Sequence, residues 1–243
     1  MLKTARRERV LLLDVMRGMG LVGVLAFHGL ATTWHSHHRP PFYLWPFAAG
    51  YLGVDVFFVL SGFVIARSWG NRPADLETSR AFMGRRIKRL FPAYWASLVV
   101  YALLRGRHLF GTMHGLGTLA LHVVGQQFLV PHAAYQINSV YWTLTPQIHF
   151  YLLFPLLIVA MRRFGARSTL VAIVSATVAF RVLLHTANQW PLETILGRLD
   201  QFALGMAAAL AVGRSNRVLN VLRCPGARGP SRSFPPRTSV DSR

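Results

Sequence analysis

Six apolar stretches bounded by basic residues constrain this chain more than any motif in it: residues 10–30, 48–66, 90–104, 141–161, 168–184 and 199–212. A helix that crosses a bilayer needs about 20 mostly apolar residues, so the third and sixth stretches are short and draw on their flanks. Lipid offers the backbone no hydrogen bonds, so each stretch is expected to be a helix. The expected fold is an all-α, polytopic membrane bundle with about six transmembrane helices. The charges say which way round it sits. The chain carries 27 Lys and Arg against 8 Asp and Glu. Of those 27, 21 fall in residues 1–9, 67–89, 162–167 and 214–243, which share one side of the membrane if the chain threads it six times. Excess positive charge marks cytoplasmic loops, so the N-terminus is expected inside. Basic charge on this scale also occurs in nucleic-acid-binding proteins, but those do not interleave it with span-length apolar runs. No nucleic-acid partner is expected.

Three parts follow from this pattern: a basic cytoplasmic N-terminus (1–9), a transmembrane domain (10–212) and a basic C-terminal tail (213–243). From Arg223 the tail turns to Arg, Pro, Gly and Ser and lacks the apolar surface to order itself. Residues 109–130 carry no charge and are long enough to cross. However, His108, Thr112, Gly115, Thr118, His122 and Gln126 recur at helical spacing opposite Leu109, Met113, Leu116, Ala120, Val123 and Val124. That pattern predicts an amphipathic helix lying on the outer face. A crossing there would also carry Arg162, Arg163 and Arg167 outside. The lone Cys224 excludes a disulfide framework within the chain and a thiolate metal site. His35, His37 and His38 cluster without an acid or cysteine beside them and are expected to be a solvated loop. No metal site is expected. The first apolar run has span length and no small-residue cleavage pattern after it, so it is not a cleavable signal peptide.

Within the first span, Asp14, Arg17 and His28 interrupt the apolar sequence. A charge at the bilayer centre costs roughly 2.5–3.5 kcal/mol on insertion scales, so such residues usually face a protein interior and mark function. At about 100° per residue, Arg17 and His28 point within roughly 20° of each other, and Asp14 lies about 40° from His28. One reading is a structural Asp14–Arg17 pair with a packed histidine; the other is a reactive polar face. Gly18, Gly20 and Gly23 satisfy the G-x-G-x-x-G pattern of dinucleotide sites, but no strand or turn precedes them, and close helix packing is the better explanation. The second span holds Asp55, a possible partner for Arg17 or His28, and Ser61-Gly62, which suits a close-packing point. There is no G-x-S-x-G elbow to support a serine nucleophile. Arg85-Arg86-Ile-Lys-Arg89 precedes Pro92-Ala-Tyr-Trp95. These basic residues are either topogenic, or Arg86 and Arg89 share a face on which their planar forks of donors could hold phosphates.

Taken in order, four blocks resemble the acyltransferase 3 family of integral membrane acyltransferases. They are Leu13-Asp14-Val-Met-Arg17-Gly18 running to His28, Gly53-Val-Asp55 running to Ser61-Gly62-Phe63, Arg85-Arg86-Ile-Lys-Arg89 with Pro92-Ala-Tyr-Trp95, and Trp142-Thr-Leu144 with Phe150-Tyr151 and Pro155. A fainter echo is Arg198-Leu-Asp200-Gln-Phe202-Ala-Leu-Gly205. The resemblance implies a multi-pass protein of the cell inner (plasma) membrane. It would move an acyl group, often acetyl, from cytoplasmic acyl-CoA to a hydroxyl of a cell-envelope carbohydrate or other acceptor. It implies His28 as the catalytic histidine with Arg17, and Asp14 beside it, and Arg86 and Arg89, with Arg85, on the acyl-CoA. Trp142, Gln147 and Tyr151 occupy positions of the family's fourth motif. No bound cofactor is implied, because the thioester is already activated; acyl-CoA enters as donor substrate.

Two features depart from the family pattern. Gln147 stands where members usually carry a glutamate, keeping the shape but not the charge. Members also usually continue through further spans, so a truncated or frameshifted product is expected. Two other functions are therefore weighed: a non-catalytic remnant of the same fold, and a transporter component using Asp14, Arg17, Asp55 and His28 as a proton relay.

Overall fold

In the computed structural model of the chain, residues 2–34, 42, 45–104, 107–131, 133–184 and 190–222 are described. Among these there are helices and turns but no strand. The long helices are α1 (Leu2–Trp34), α3 (Leu52–Trp69), α4 (Leu76–Leu104), α6 (Leu144–Phe164), α7 (Ala166–Leu184) and α8 (Ile195–Leu222), with the shorter α2 (Trp45–Ala48) and α5 (Met113–Val123) between them. Six helices are long and apolar enough to cross a membrane. They coincide with the six apolar stretches, and the chain is an all-α polytopic membrane protein. Two compact units divide it: Met1–Leu210, which holds the bundle, and Ala211–Arg243, whose described part is helical. The His35, His37 and His38 cluster, Cys224 and the tail from residue 223 lie outside the described residues.

The boundaries differ from the expected ones in two informative places. The third span is not a short helix that begins after the arginines. It starts at Leu76 and runs 29 residues, about 43 Å, so Arg85, Arg86 and Arg89 belong to the same rod as Tyr94 and Leu98. Its start is explained locally: Asp75 accepts the Thr78 amide at 2.7 Å, the arrangement of an N-cap. The sixth helix likewise starts before the expected span and continues to Leu222. Gly70 and Gly165, with φ of +60° and +86°, end α3 and α6 in backbone conformations that side chains disfavour.

Residues 109–130 do not form one crossing helix. They fold as α5 between 3-10 turns at Arg107–Gly111 and Gln127–Leu129, and 11 residues of α-helix reach only about 16 Å. The two faces differ as the periodicity predicts: His108 and Thr112, ahead of α5, are exposed, and the polar-face positions within α5 meet the protein. Gly115, Thr118 and His122 are buried in the protein, whereas Met113, Leu116, Val123 and Val124 are exposed. Leu109, expected with the apolar face, is buried. The polar side finds partners inside. His122 Nδ1 lies 2.9 Å from the Thr118 carbonyl, Tyr94 Oη donates to the His122 carbonyl at 2.6 Å, and Trp95 Nε1 donates to that of Val123 at 2.8 Å.

Aromatic packing and backbone contact hold the bundle together. Phe58, Ile65 and Trp69 of α3, Phe82 of α4, Phe150 and Phe154 of α6, and Phe202 and Met206 of α8 form one buried cluster. Phe150 and Phe202 stack at 4.1 Å. Glycines bring α3 against two neighbours. A Cβ on Gly50 or Gly53 would overlap the carbonyls of Gly23 or Gly20 on α1, and one on Gly62 or Gly205 would overlap backbone across the α3–α8 seam. Gly20 and Gly23 therefore serve close packing, as the absence of a strand before them implied; Gly18 faces open space.

The loops sort by side. Arg162 Nη2 donates to the Arg72 carbonyl at 2.5 Å and Arg86 Nη2 to Ser68 Oγ at 3.1 Å, joining two of the basic segments at one end. At the other end, Tyr135 Oη donates to the Glu193 carboxylate at 2.5 Å.

Candidate active site

The basic residues of α1 and α4 meet in a cavity of about 200 Å³. Arg17 enters from α1, Ser61, Val64 and Ile65 from α3, Arg86, Arg89 and Leu90 from α4, and Tyr151 from α6. The three guanidinium groups face a lining without a carboxylate. Arg86 is the best anchored of them. Besides donating to Ser68, it lies over the rings of Phe82 at 5.3 Å and Tyr151 at 6.0 Å, which sets the plane of its fork. Arg85, one residue earlier on α4, is exposed and is not among the lining residues. Arg17 also pairs with Asp14, Nη1 to Oδ1 at 3.1 Å, with 59% of the Asp14 side chain exposed.

His28 stands apart from this cavity but on the same side of α1. The α3 seam runs along Gly20, Gly23, Val24 and Phe27, and both Arg17 and His28 flank it in the same rotational direction. Their separation of eleven residues puts His28 about 16 Å further along the helix axis. Arg17 and His28 are thus set apart along the helix axis rather than side by side. The imidazole is exposed and packs edge-on against Phe27 at 5.3 Å.

Asp55 does not pair with Arg17 or His28. Its Oδ1 accepts from Arg198 Nη1 at 3.1 Å and from Gln201 Nε2 at 2.8 Å, both on α8. Arg198 in turn lies 5.2 Å over Trp142, and the neighbouring Asp200 pairs with Arg181 of α7 at 2.7 Å. Asp55 is thus joined to α8 rather than directly to Asp14, Arg17 or His28, the other groups of the proton-relay reading. On α6, Gln147 sits one turn before Tyr151, with its amide buried and acting on the Tyr151 hydroxyl. No group of three or more His, Cys, Asp or Glu residues suited to a metal is found among the described residues.

A family model for the acyltransferase 3 domain matches residues 10–221, nearly the whole described bundle. The chain belongs to the acyltransferase 3 family. Among its relatives, YrhL of Bacillus subtilis, named as a candidate peptidoglycan O-acetyltransferase, is 29% identical over 193 residues, covering 72% of this chain and 28% of that protein. Protein 2 of the picA locus of Rhizobium radiobacter is 35% identical over 96 residues, 39% of this chain and 45% of that one. A candidate O-acetyltransferase of Staphylococcus aureus is 26% identical over 161 residues, 61% of this chain and 24% of that one. The chain thus spans less than half the length of each of these relatives. No solved structure matches it significantly.

Seen as a member of the acyltransferase 3 family, the chain brings Arg17, Arg86, Arg89 and Tyr151 from three separate motifs to one cavity. It leaves His28 further along α1 and ties the Asp55 motif to the Arg198 echo on α8. Motif order identified these residues; Ser61 and Gln201 also lie within quoted blocks, but only the fold places Ser61 in the cavity and Gln201 on Asp55. Gln201 could have been noticed as a polar residue one helical turn after Arg198, and Ser61 as the hydroxyl beside a packing glycine.

Proposed function

We propose that the chain is the membrane acyltransferase part of an O-acyltransferase that moves an acyl group, most simply acetyl, from acyl-CoA to a hydroxyl of a cell-envelope carbohydrate. The observation that carries this reading is the three-arginine cavity lying on the His28 side of α1. Guanidinium forks gathered in one cavity suit phosphate, and the phosphates of CoA are joined to its thioester by a long flexible arm. That arm has about 16 Å of α1 to cover between the cavity and His28. Arg86 and Arg89 hold the phosphate end. His28 takes the proton from the acceptor hydroxyl as its oxygen attacks the thioester carbonyl; the C–O bond forms, the C–S bond breaks, and the proton passes to the departing thiolate. The buried Gln147 amide, beside the Tyr151 hydroxyl, is proposed as the donor to the oxygen that becomes negative during attack, the acyl arm bringing that carbonyl past α6. Glutamine can play that part and an ionised glutamate cannot.

The cavity end gathers the basic segments, which supports a cytoplasmic N-terminus and a donor that arrives from the cytoplasm. The acceptor would then meet His28 from the opposite side of an inner (plasma) membrane. The name of the Bacillus relative makes peptidoglycan the first acceptor to try. The test is acyl transfer in membranes containing the chain, supplied with radiolabelled acetyl-CoA and peptidoglycan fragments. Label should reach the glycan with the wild type and fall at least a hundredfold with His28→Ala, in line with loss of a general base. Transfer that survives His28→Ala would remove His28 from the chemistry. No transfer by a well-folded wild type that still binds CoA would favour the non-catalytic reading.

A further inference from the structure

We infer that Arg17 is a phosphate ligand for the donor, the third member of a clamp with Arg86 and Arg89, and that Asp14 is the counter-ion it gives up when the donor binds. This rests on the donor reading above. Four observations support it. Arg17 lines the cavity that Arg86 and Arg89 line, although it comes from a different helix. The remaining polar groups there, Ser61 and Tyr151, are neutral hydroxyls, so nothing in the lining itself balances three positive charges. Like charges converging on one small space favour an anion between them. The partner Arg17 does have is Asp14, three residues before it on the same helix and more than half exposed, and ion pairs of that kind are weak. Finally, its position about 16 Å along α1 from His28 sets Arg17 with the cavity arginines rather than with the proposed reacting carbonyl.

The size of the cavity narrows the ligand. About 200 Å³ lies below the range that encloses a drug-sized molecule, so the cavity seats part of the donor and leaves the rest outside. Three forked donors approaching from two helices suit a diphosphate, whose oxygens are spread over two phosphorus centres, better than a single carboxylate. The clamp also gives α1 a task beyond carrying His28. Gripping the diphosphate pulls α1 toward α4 and aligns the histidine with the arm that the phosphates anchor.

The experiment is equilibrium binding of CoA, and separately of pantetheine, to the full chain in phosphatidylcholine nanodiscs. Arg17→Gln should weaken CoA binding roughly ten- to a hundredfold, comparably to Arg86→Gln, as expected for loss of a charge-assisted hydrogen bond. Arg17→Lys should recover part of the loss. Asp14→Asn should tighten CoA binding severalfold by removing the competing carboxylate, a result that a folding role for the pair would not produce. Pantetheine, which lacks the phosphates, should bind all four variants alike. CoA binding that falls with Arg86→Gln but stays within twofold for Arg17→Gln and Asp14→Asn would overturn the clamp and leave the donor reading standing. If Arg86→Gln also has no effect, the donor reading fails and the clamp fails with it. An equal loss of pantetheine binding in Arg17→Gln would make Arg17 structural and overturn the proposal.

Discussion

His122 sits fully buried on α5 with its Nδ1 on the Thr118 carbonyl and its Nε2 without a partner. Burial disfavours the imidazolium, so its pKa falls below the usual 6.5, with the Thr118 carbonyl opposing part of that shift. The unfolded chain binds that proton more readily than the folded one, so this position should destabilise the fold as the pH drops through 6.5. The titratable groups that face it, Tyr94 and Tyr141, stay neutral in that range. In detergent, the wild type should lose more thermal stability between pH 7.5 and 5.5 than His122→Leu does; equal losses would refute the assignment. At this scale, residue types are legible in the sequence and their partners are not. Asp55 is visible as a costly acid, but its contact with Arg198, 143 positions away, depends on how two helices are rotated against each other. Periodicity along one helix carries no information about that angle.

Among the helices, the glycine seams have the firmest consequences. Gly62→Ala and Gly205→Ala would each press a methyl group into backbone of the facing helix, with no flexible side chain to yield. Each is expected to cost about 1–3 kcal/mol, the range for overpacking a filled interface. Gly18→Ala, which meets open space, should be neutral or slightly favourable in a helix. Thermal unfolding in detergent orders the three, and a Gly205→Ala variant as stable as Gly18→Ala would show that the seam can open. Helix existence was legible throughout, because burial of apolar length in lipid sums over about 20 residues and tolerates local irregularity. Helix starts were less so. The third span begins at Leu76 because Asp75 caps it, and a cap followed by charged turns looks like a loop when only hydropathy is followed. What the polar face of α5 packs against is not legible for a related reason. Amphipathicity reports that two faces differ, not whether the polar one meets water or the interior of a protein.

For the molecule as a whole, the proposed orientation, with the basic end in the cytoplasm, has a direct test. In a background with Cys224→Ser, cysteine introduced at the exposed Gln136 should react with an impermeant maleimide on intact cells. Cysteine at the exposed Asn71 should react only after permeabilisation; the reverse pattern would invert the topology. The ordering of motifs along the chain makes the family legible, but the cavity is a product of folding, since α1, α3, α4 and α6 each supply only a fragment of it. The three arginines also bear on turnover. In the proposed clamp they grip a part of the donor that the reaction leaves untouched, so the spent carrier would retain the same handle as the loaded one. Binding energy gained there deepens substrate and product wells together. Free CoA is therefore expected to compete with acetyl-CoA at similar concentrations, and the first round of transfer to outrun later ones. The enzyme's pace would then be set by letting go.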